Sequence, residues 1–164
     1  MNPFKVISRI QPIQFWQLLK LAVPHITFLW PTYRATKTCM ELSTEHFGKK
    51  HYQNGQANAF RHALWNVLIT KYCAKSTKAI TRALHWTKKI TDWHEKTFFS
   101  KELPMKMDYH NNEAGRNLFE EHPQWPQATF VQQLLTLTAN ALKINSETDL
   151  HQLKNYLVYI TDDH

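Results

Sequence analysis

The chain has 164 residues, enough for one domain with a sizeable core. Hydrophobic residues make up 43% and aromatics 13%, which excludes global disorder; glycine is scarce and long stretches carry helical periodicity, which points to an all-α fold. The net charge of +7 favours contact with phosphate, on nucleic acid or an anionic membrane, although a Lys-rich surface explains it equally well; Lys49-Lys50 and Lys88-Lys89 are pairs, not a basic arm.

Residues 1–11 read as a loosely held lead-in with Lys5 and Arg9. Pro12 suits the first turn of a helix carrying Phe15, Trp16, Leu18, Leu19 and Ala22, kinked or ended at Pro24. A basic, aromatic segment of this kind can lie on a membrane; packing on its own core is the alternative. Residues 18–30 are apolar but broken by Lys20, Pro24 and His25, with no small-residue cleavage site behind them. The expectation is a chain that neither spans a bilayer there nor carries a secretory signal, cytoplasmic as made, with export by a signal-independent route left open.

Pro31 opens a second predicted helix, to about Phe47. Gly48 caps it and Lys49-Lys50 face its negative end. Asn54-Gly55 marks a turn. A central helix follows over about 56–73, with Ala57, Phe60, Leu64, Val67 and Leu68 at helical spacing. Its opposite face carries Asn58, His62, Trp65, Asn66 and Ile69 rather than charge. A helix apolar around most of its circumference belongs in an interior, and each buried polar group costs roughly 2–7 kcal/mol if it finds no partner.

Ser76 caps a fourth helix to about Phe98. Residues 100–104 form a connector, and a fifth helix runs over about 106–122 until Pro123 and Pro126 break it. A sixth covers 127–141. In the tail, residues 146–149 look like a helix start and 156–160 like an extended piece. The sum is a single domain over 1–164, a bundle of about six helices with a motif-bearing core over 55–122. Cys39 and Cys73 form no CxxC pair; two free buried thiols are expected, with a single disulfide left open.

Three polar clusters carry the chemistry. Asn58, His62 and Asn66 stand at i, i+4 and i+8 on the central helix, flanked by Arg61 and Trp65. Asp92 and Glu95 share a face of the fourth helix, while His94 points about 100° away from Glu95. Asp108, Asn111, Asn112, Gly115 and Arg116 form one stripe on the fifth. A glycine inside a helix costs about 1 kcal/mol against alanine, so Gly115 implies a close approach. The other histidines show no paired spacing; His110, between Asp108 and Asn112, comes nearest.

One shared centre satisfies these groups more economically than three separate networks. His62, His94, Glu95 and Asp108 suit a divalent metal, Zn²⁺, Mn²⁺ or Fe²⁺. Asn58, Asn66 and Asn111 would orient ligands or substrate, and Arg61 or Arg116 would hold a phosphate or carboxylate. A metal-free site with His62 or Glu95 as general base and Asn112 and Arg116 on developing charge is the second reading. A purely structural network is the third.

The succession Asn58-Ala-Phe-Arg-His-Ala-Leu-Trp-Asn66, Asp92-Trp-His-Glu95 and Met107-Asp-Tyr-His-Asn-Asn-Glu-Ala-Gly-Arg116 resembles an uncharacterised bacterial family of small helical domains. Its core is AFRHA-W-N … HE … MD-x-x-NN-x-x-GR; some members stand alone and others are C-terminal modules of toxin-like secreted proteins. The resemblance covers about 55–118 and implies a shared polar centre, without supplying a reaction. The order of His, His-acid pair and Asp is similar to metal-dependent phosphohydrolases of the HD type, by analogy of chemistry only, since Asp108 follows too soon. Two functions are therefore expected: a metal-assisted hydrolase of a phosphoester or other polar polymer, or a non-enzymatic module that contacts nucleic acid or an anionic membrane while the polar centre holds the helices.

Overall fold

The computed structural model describes residues 11–77, 79–98, 101–146, 150–154 and 156–161. Most of the lead-in, Ser100 and residues 147–149 of the expected tail helix start lie outside the described residues. The chain is an all-α bundle: α1 Pro12–Ala22, α2 Ile26–Phe47, α3 Gln56–Thr77, α4 Ile80–Phe98, α5 Glu102–Glu121 and α6 Gln127–Ala139. Among the described residues, no helix is long and apolar enough to cross a membrane.

α3 is the spine. Gly55, at φ 130, turns the chain so that its carbonyl accepts from both Asn58 and Ala59 at 3.1 Å, which starts the helix. Its buried residues run almost unbroken from Ala57 to Thr70, because α2, α4, α5 and α6 all pack around it. Gly48 ends α2 at φ 59, its N–H returning to the Thr44 carbonyl.

Two prolines stand inside helices where the sequence placed boundaries. α2 begins at Ile26, five residues before Pro31. Pro31 forfeits one backbone bond, but burial of Phe28 against Trp86, with ring centroids 5.9 Å apart, holds the preceding turn helical. α5 begins at Glu102, and Pro104 falls in its first turn, where an N–H has no helical partner to lose. Ser76 does not cap α4: its hydroxyl donates back to the Cys73 carbonyl at 2.7 Å, and α3 continues to Thr77.

α1 and α2 are joined by one 3₁₀ turn, Val23–His25. Gln14 accepts from Trp93 Nε1 through its carbonyl and donates to the Thr97 carbonyl, whereas Phe28 meets Trp86. The pair therefore runs antiparallel along α4. The tail adds two short strands, β1 Leu142–Lys143 and β2 Val158–Tyr159. They pair in parallel, Leu142 opposite Val158, and a satellite core of Met107, Ile144, Val158 and Ile160 fixes them on α5. The extended piece was expected; β1 was not, because the sixth helix stops at Ala139. Both cysteines are free and buried, and burial pushes the thiols up to about 12 for Cys39 and about 11 for Cys73.

Candidate active site

The three polar clusters meet where α3, α4 and α5 come closest. What lets them meet is Gly115. A Cβ there would overlap the backbone of Ala63 on α3, its carbonyl oxygen first, then C and Cα at 2.8 Å. Only glycine admits that approach.

His62 stands at the centre. Its Nδ1 lies 3.3 Å from Asn112 Oδ1 and 3.4 Å from Glu95 Oε1. Its Nε2 lies 2.9 Å from Arg61 Nη2 and 3.4 Å from Asp108 Oδ1. An arginine only donates, so while the ring is neutral Nε2 accepts from Arg61 and the proton is on Nδ1, facing Glu95. The Asn58 amide, oriented by its neighbours, donates to Asp108 Oδ1 at 3.0 Å and accepts from Arg61 Nη2 at 2.9 Å.

Behind His62 lies a chain of amides. Asn112 Nδ2 donates to Glu95 Oε1 at 2.8 Å. Asn66 Nδ2 donates to Asn112 Oδ1 at 2.6 Å and to the His62 carbonyl at 3.0 Å. Arg116 Nη1 in turn donates to Asn66 Oδ1 at 2.8 Å, and the Thr91 hydroxyl donates to the same oxygen. One oxygen of each acid stays without a partner: Glu95 Oε2 and Asp108 Oδ2 are buried and accept no hydrogen bond. Native interiors seldom leave such atoms orphaned.

The electrostatics follow from burial first. Burial raises the Asp108 carboxyl, and Glu95 adds to it against His62 and Arg61, so that its pKa reaches about 6. For His62 burial favours the neutral ring, but Asp108 and Glu95 together outweigh it and hold the imidazole above the ordinary histidine value. Burial would raise Glu95 too; the His62 charge and hydrogen bond, with His94 and Asn112, hold it below the usual carboxylate range. The result is one ionised acid, one acid titrating near neutrality, and an imidazole between them.

Among the described residues, His62, Glu95 and Asp108 offer one donor atom each within 4.8 Å of one another. An imidazole nitrogen with two carboxylate oxygens is a set that holds a divalent cation. His94, expected as a fourth ligand, stands outside this set. Its ring packs against Trp65 at 5.0 Å and Phe98 at 4.9 Å, since its direction on α4 differs from that of Glu95. Burial pushes it down to about 4.

A cavity of about 280 Å³ reaches the His62 side of the centre, lined by Asn58, Arg61, His62, Trp65, His94 and Phe98, with Thr36, Cys39, Met40 and Tyr52 on its other side; Glu95 and Asp108 are buried behind His62 and do not line it. Arg61 and Asn58, two of the expected substrate-binding residues, line this cavity. Asn66, Asn112 and Arg116 do not; they lie behind His62 and position it. Asn111 is elsewhere, its amide clamping Val158 by donating to the carbonyl at 2.8 Å and accepting from the N–H at 3.0 Å. His110 likewise meets the tail, at the Tyr156 carbonyl. Asp92 pairs with Lys88 at 2.6 Å. The wall from α2 was not foreseen. Thr36, Cys39 and Met40 at i, i+3 and i+4 were its only signal, and Trp65 Nε1 donates to Thr36 Oγ1 at 2.8 Å across the gap.

A family model described as a domain of unknown function, DUF6973, matches residues 19–142, which takes in all three motif segments. No curated protein and no solved structure gives a significant match.

Proposed function

The chain belongs to the DUF6973 family, and from that premise we propose that its polar centre is the active site of a metal-assisted hydrolase acting on a phosphoester. The observation that carries this reading is the buried set of His62, Glu95 and Asp108, with one donor atom each within 4.8 Å of one another, beside a cavity that His62 lines. A cation held by His62, Glu95 and Asp108 would lower the pKa of a bound water and polarise a phosphoryl oxygen. Arg61 and Asn58 line the cavity wall and would take the remaining phosphoryl oxygens. Asn112 fixes Glu95, and Arg116 acts two steps back through Asn66, as positioning residues. A bacterial origin and a toxin-like setting, implied by the motif resemblance alone, fit a hydrolase; larger polar polymers fit to the extent that a phosphoester group enters the cavity.

Glu95→Gln keeps the acceptor for Asn112 and removes the charge. Assayed on bis(p-nitrophenyl) phosphate with added Mn²⁺ or Zn²⁺, this variant should lose about 100-fold or more in rate while its circular dichroism is unchanged. Equal rates in the two proteins would remove the catalytic reading. One observation favours the non-enzymatic module instead: the Arg116–Asn66–Asn112–Glu95 chain interlocks α3, α4 and α5 by itself. In that case His62→Ala lowers stability while binding to a phosphate-bearing partner persists with steep salt dependence.

A further inference from the structure

Along the outer side of α1 and α2, away from α4, runs a line of large apolar residues turned to solvent. Ile13, Trp16, Val23, Ile26, Trp30 and Tyr33 are each between 55% and 70% exposed, and α1 buries no residue at all. Their spacing keeps to one helical face across the Val23–His25 turn. Isolated exposed hydrophobics need no explanation, but a continuous row of them marks an interaction surface. Its composition identifies the partner. Two tryptophans and a tyrosine are the side chains that settle at the boundary between headgroups and acyl chains.

The charge beside the row is mainly positive, with Lys20, Arg34 and Lys37 against a single nearby acid among the described residues, Glu41, which pairs with Lys37 at 3.8 Å. From residue 1 to 40 the sequence holds Lys5, Arg9, Lys20, Arg34 and Lys37 and not one Asp or Glu. At the Trp30 end the row runs into a groove of about 610 Å³ that Trp30 itself lines, together with Arg34, Lys71, Tyr72, Lys75 and Trp125, and no acid is among its lining residues. Arg34 lies over the Tyr72 ring at 5.7 Å, and Lys71 Nζ donates to the Trp125 carbonyl, which leaves the exposed Arg34 and Lys75 to meet an anion.

We propose that this face docks the protein on a membrane bearing anionic phospholipid, with the aromatic row in the headgroup–acyl boundary and lipid phosphates at Arg34 and Lys75. The helices lie along the surface rather than across it.

Flotation with phosphatidylcholine vesicles, with and without about one third phosphatidylserine, tests the proposal on the full chain. Trp16→Ala/Trp30→Ala and Arg34→Gln/Lys75→Gln change exposed side chains, and unchanged circular dichroism establishes that both fold. The wild type should bind the anionic vesicles about tenfold or more tighter than neutral ones, and each double variant should lose about tenfold. Tryptophan emission should shift to the blue on binding, less so in the tryptophan variant. No binding to anionic vesicles at low salt overturns the proposal. So does binding that the tryptophan substitutions leave intact while a duplex RNA competes it away, which identifies the face as a nucleic-acid surface.

Discussion

Asp108 is the carboxyl whose titration reports most directly on the centre. Its pKa is raised from 3.8 to about 6 by burial, with Glu95 adding to it, so the folded state favours its protonated form. The stability this contributes is complete below the unfolded value and is lost as pH rises through the folded one. His62, raised above 6.5, acts in the same sense: its contribution is present below 6.5 and lost as pH climbs past its folded value. Glu95, lowered below 4.5, acts oppositely and is lost only in acid. His94, lowered from 6.5 to about 4, adds stability as pH rises over the same range and offsets Asp108; in the presence of a chelator the Tm of Asp108→Asn should therefore rise more steeply with pH between 4 and 6 than that of the wild type. A slope unchanged in Asp108→Asn would mean that Asp108 is not the titrating group. A metal needs both groups deprotonated, so its binding should weaken by about a hundredfold per pH unit on acidifying below 6, about tenfold for each proton displaced. Calorimetric titration with Zn²⁺ at two pH values checks this.

At the scale of elements, the close contact of α3 and α5 is the feature on which the centre depends. Gly115→Ala gains helix propensity of about 1 kcal/mol but drives a methyl into the Ala63 backbone, which cannot rotate away. A net loss of about 2 kcal/mol or more, read by urea unfolding, is expected together with loss of metal binding. Asn111→Ala removes both hydrogen bonds to Val158 and should cost about 2 kcal/mol by freeing the tail, with metal binding intact; if metal binding falls as well, the tail supports the centre. Much of this was legible in the sequence. The unbroken burial of α3 showed as a helix with no charged face, and Gly115 as a glycine out of place. The helix starts expected at Pro31 and at about residue 106 fall earlier, at Ile26 and Glu102, because a proline in a first turn or just after a well-packed ring breaks nothing. Asn111 and His94 were misassigned because spacing gives a face but not what lies opposite it. β1 left no trace, since two residues whose pairing depends on a strand sixteen positions on carry no periodicity of their own.

At the scale of the molecule, one spine helix surrounded by four others places an ionisable trio in an interior, with His62 alone of the three lining a cavity among the described residues. The same bundle keeps its aromatic row outside, on the exposed faces of α1 and α2. These two features make separate demands: the polar centre needs the charges of α3, α4 and α5, and the outer row needs none of them. Metal content is the most direct measurement of the central claim. Protein purified without a chelating column, dialysed and analysed by inductively coupled plasma mass spectrometry should carry about one Zn, Mn or Fe per chain. Asp108→Asn and Glu95→Gln should carry about a tenth of that or less, and added Mn²⁺ or Zn²⁺ should raise the Tm of the wild type alone. A wild type with no bound metal and no Tm response to either ion, matching both variants, would contradict it and leave a helical scaffold with a structural polar core.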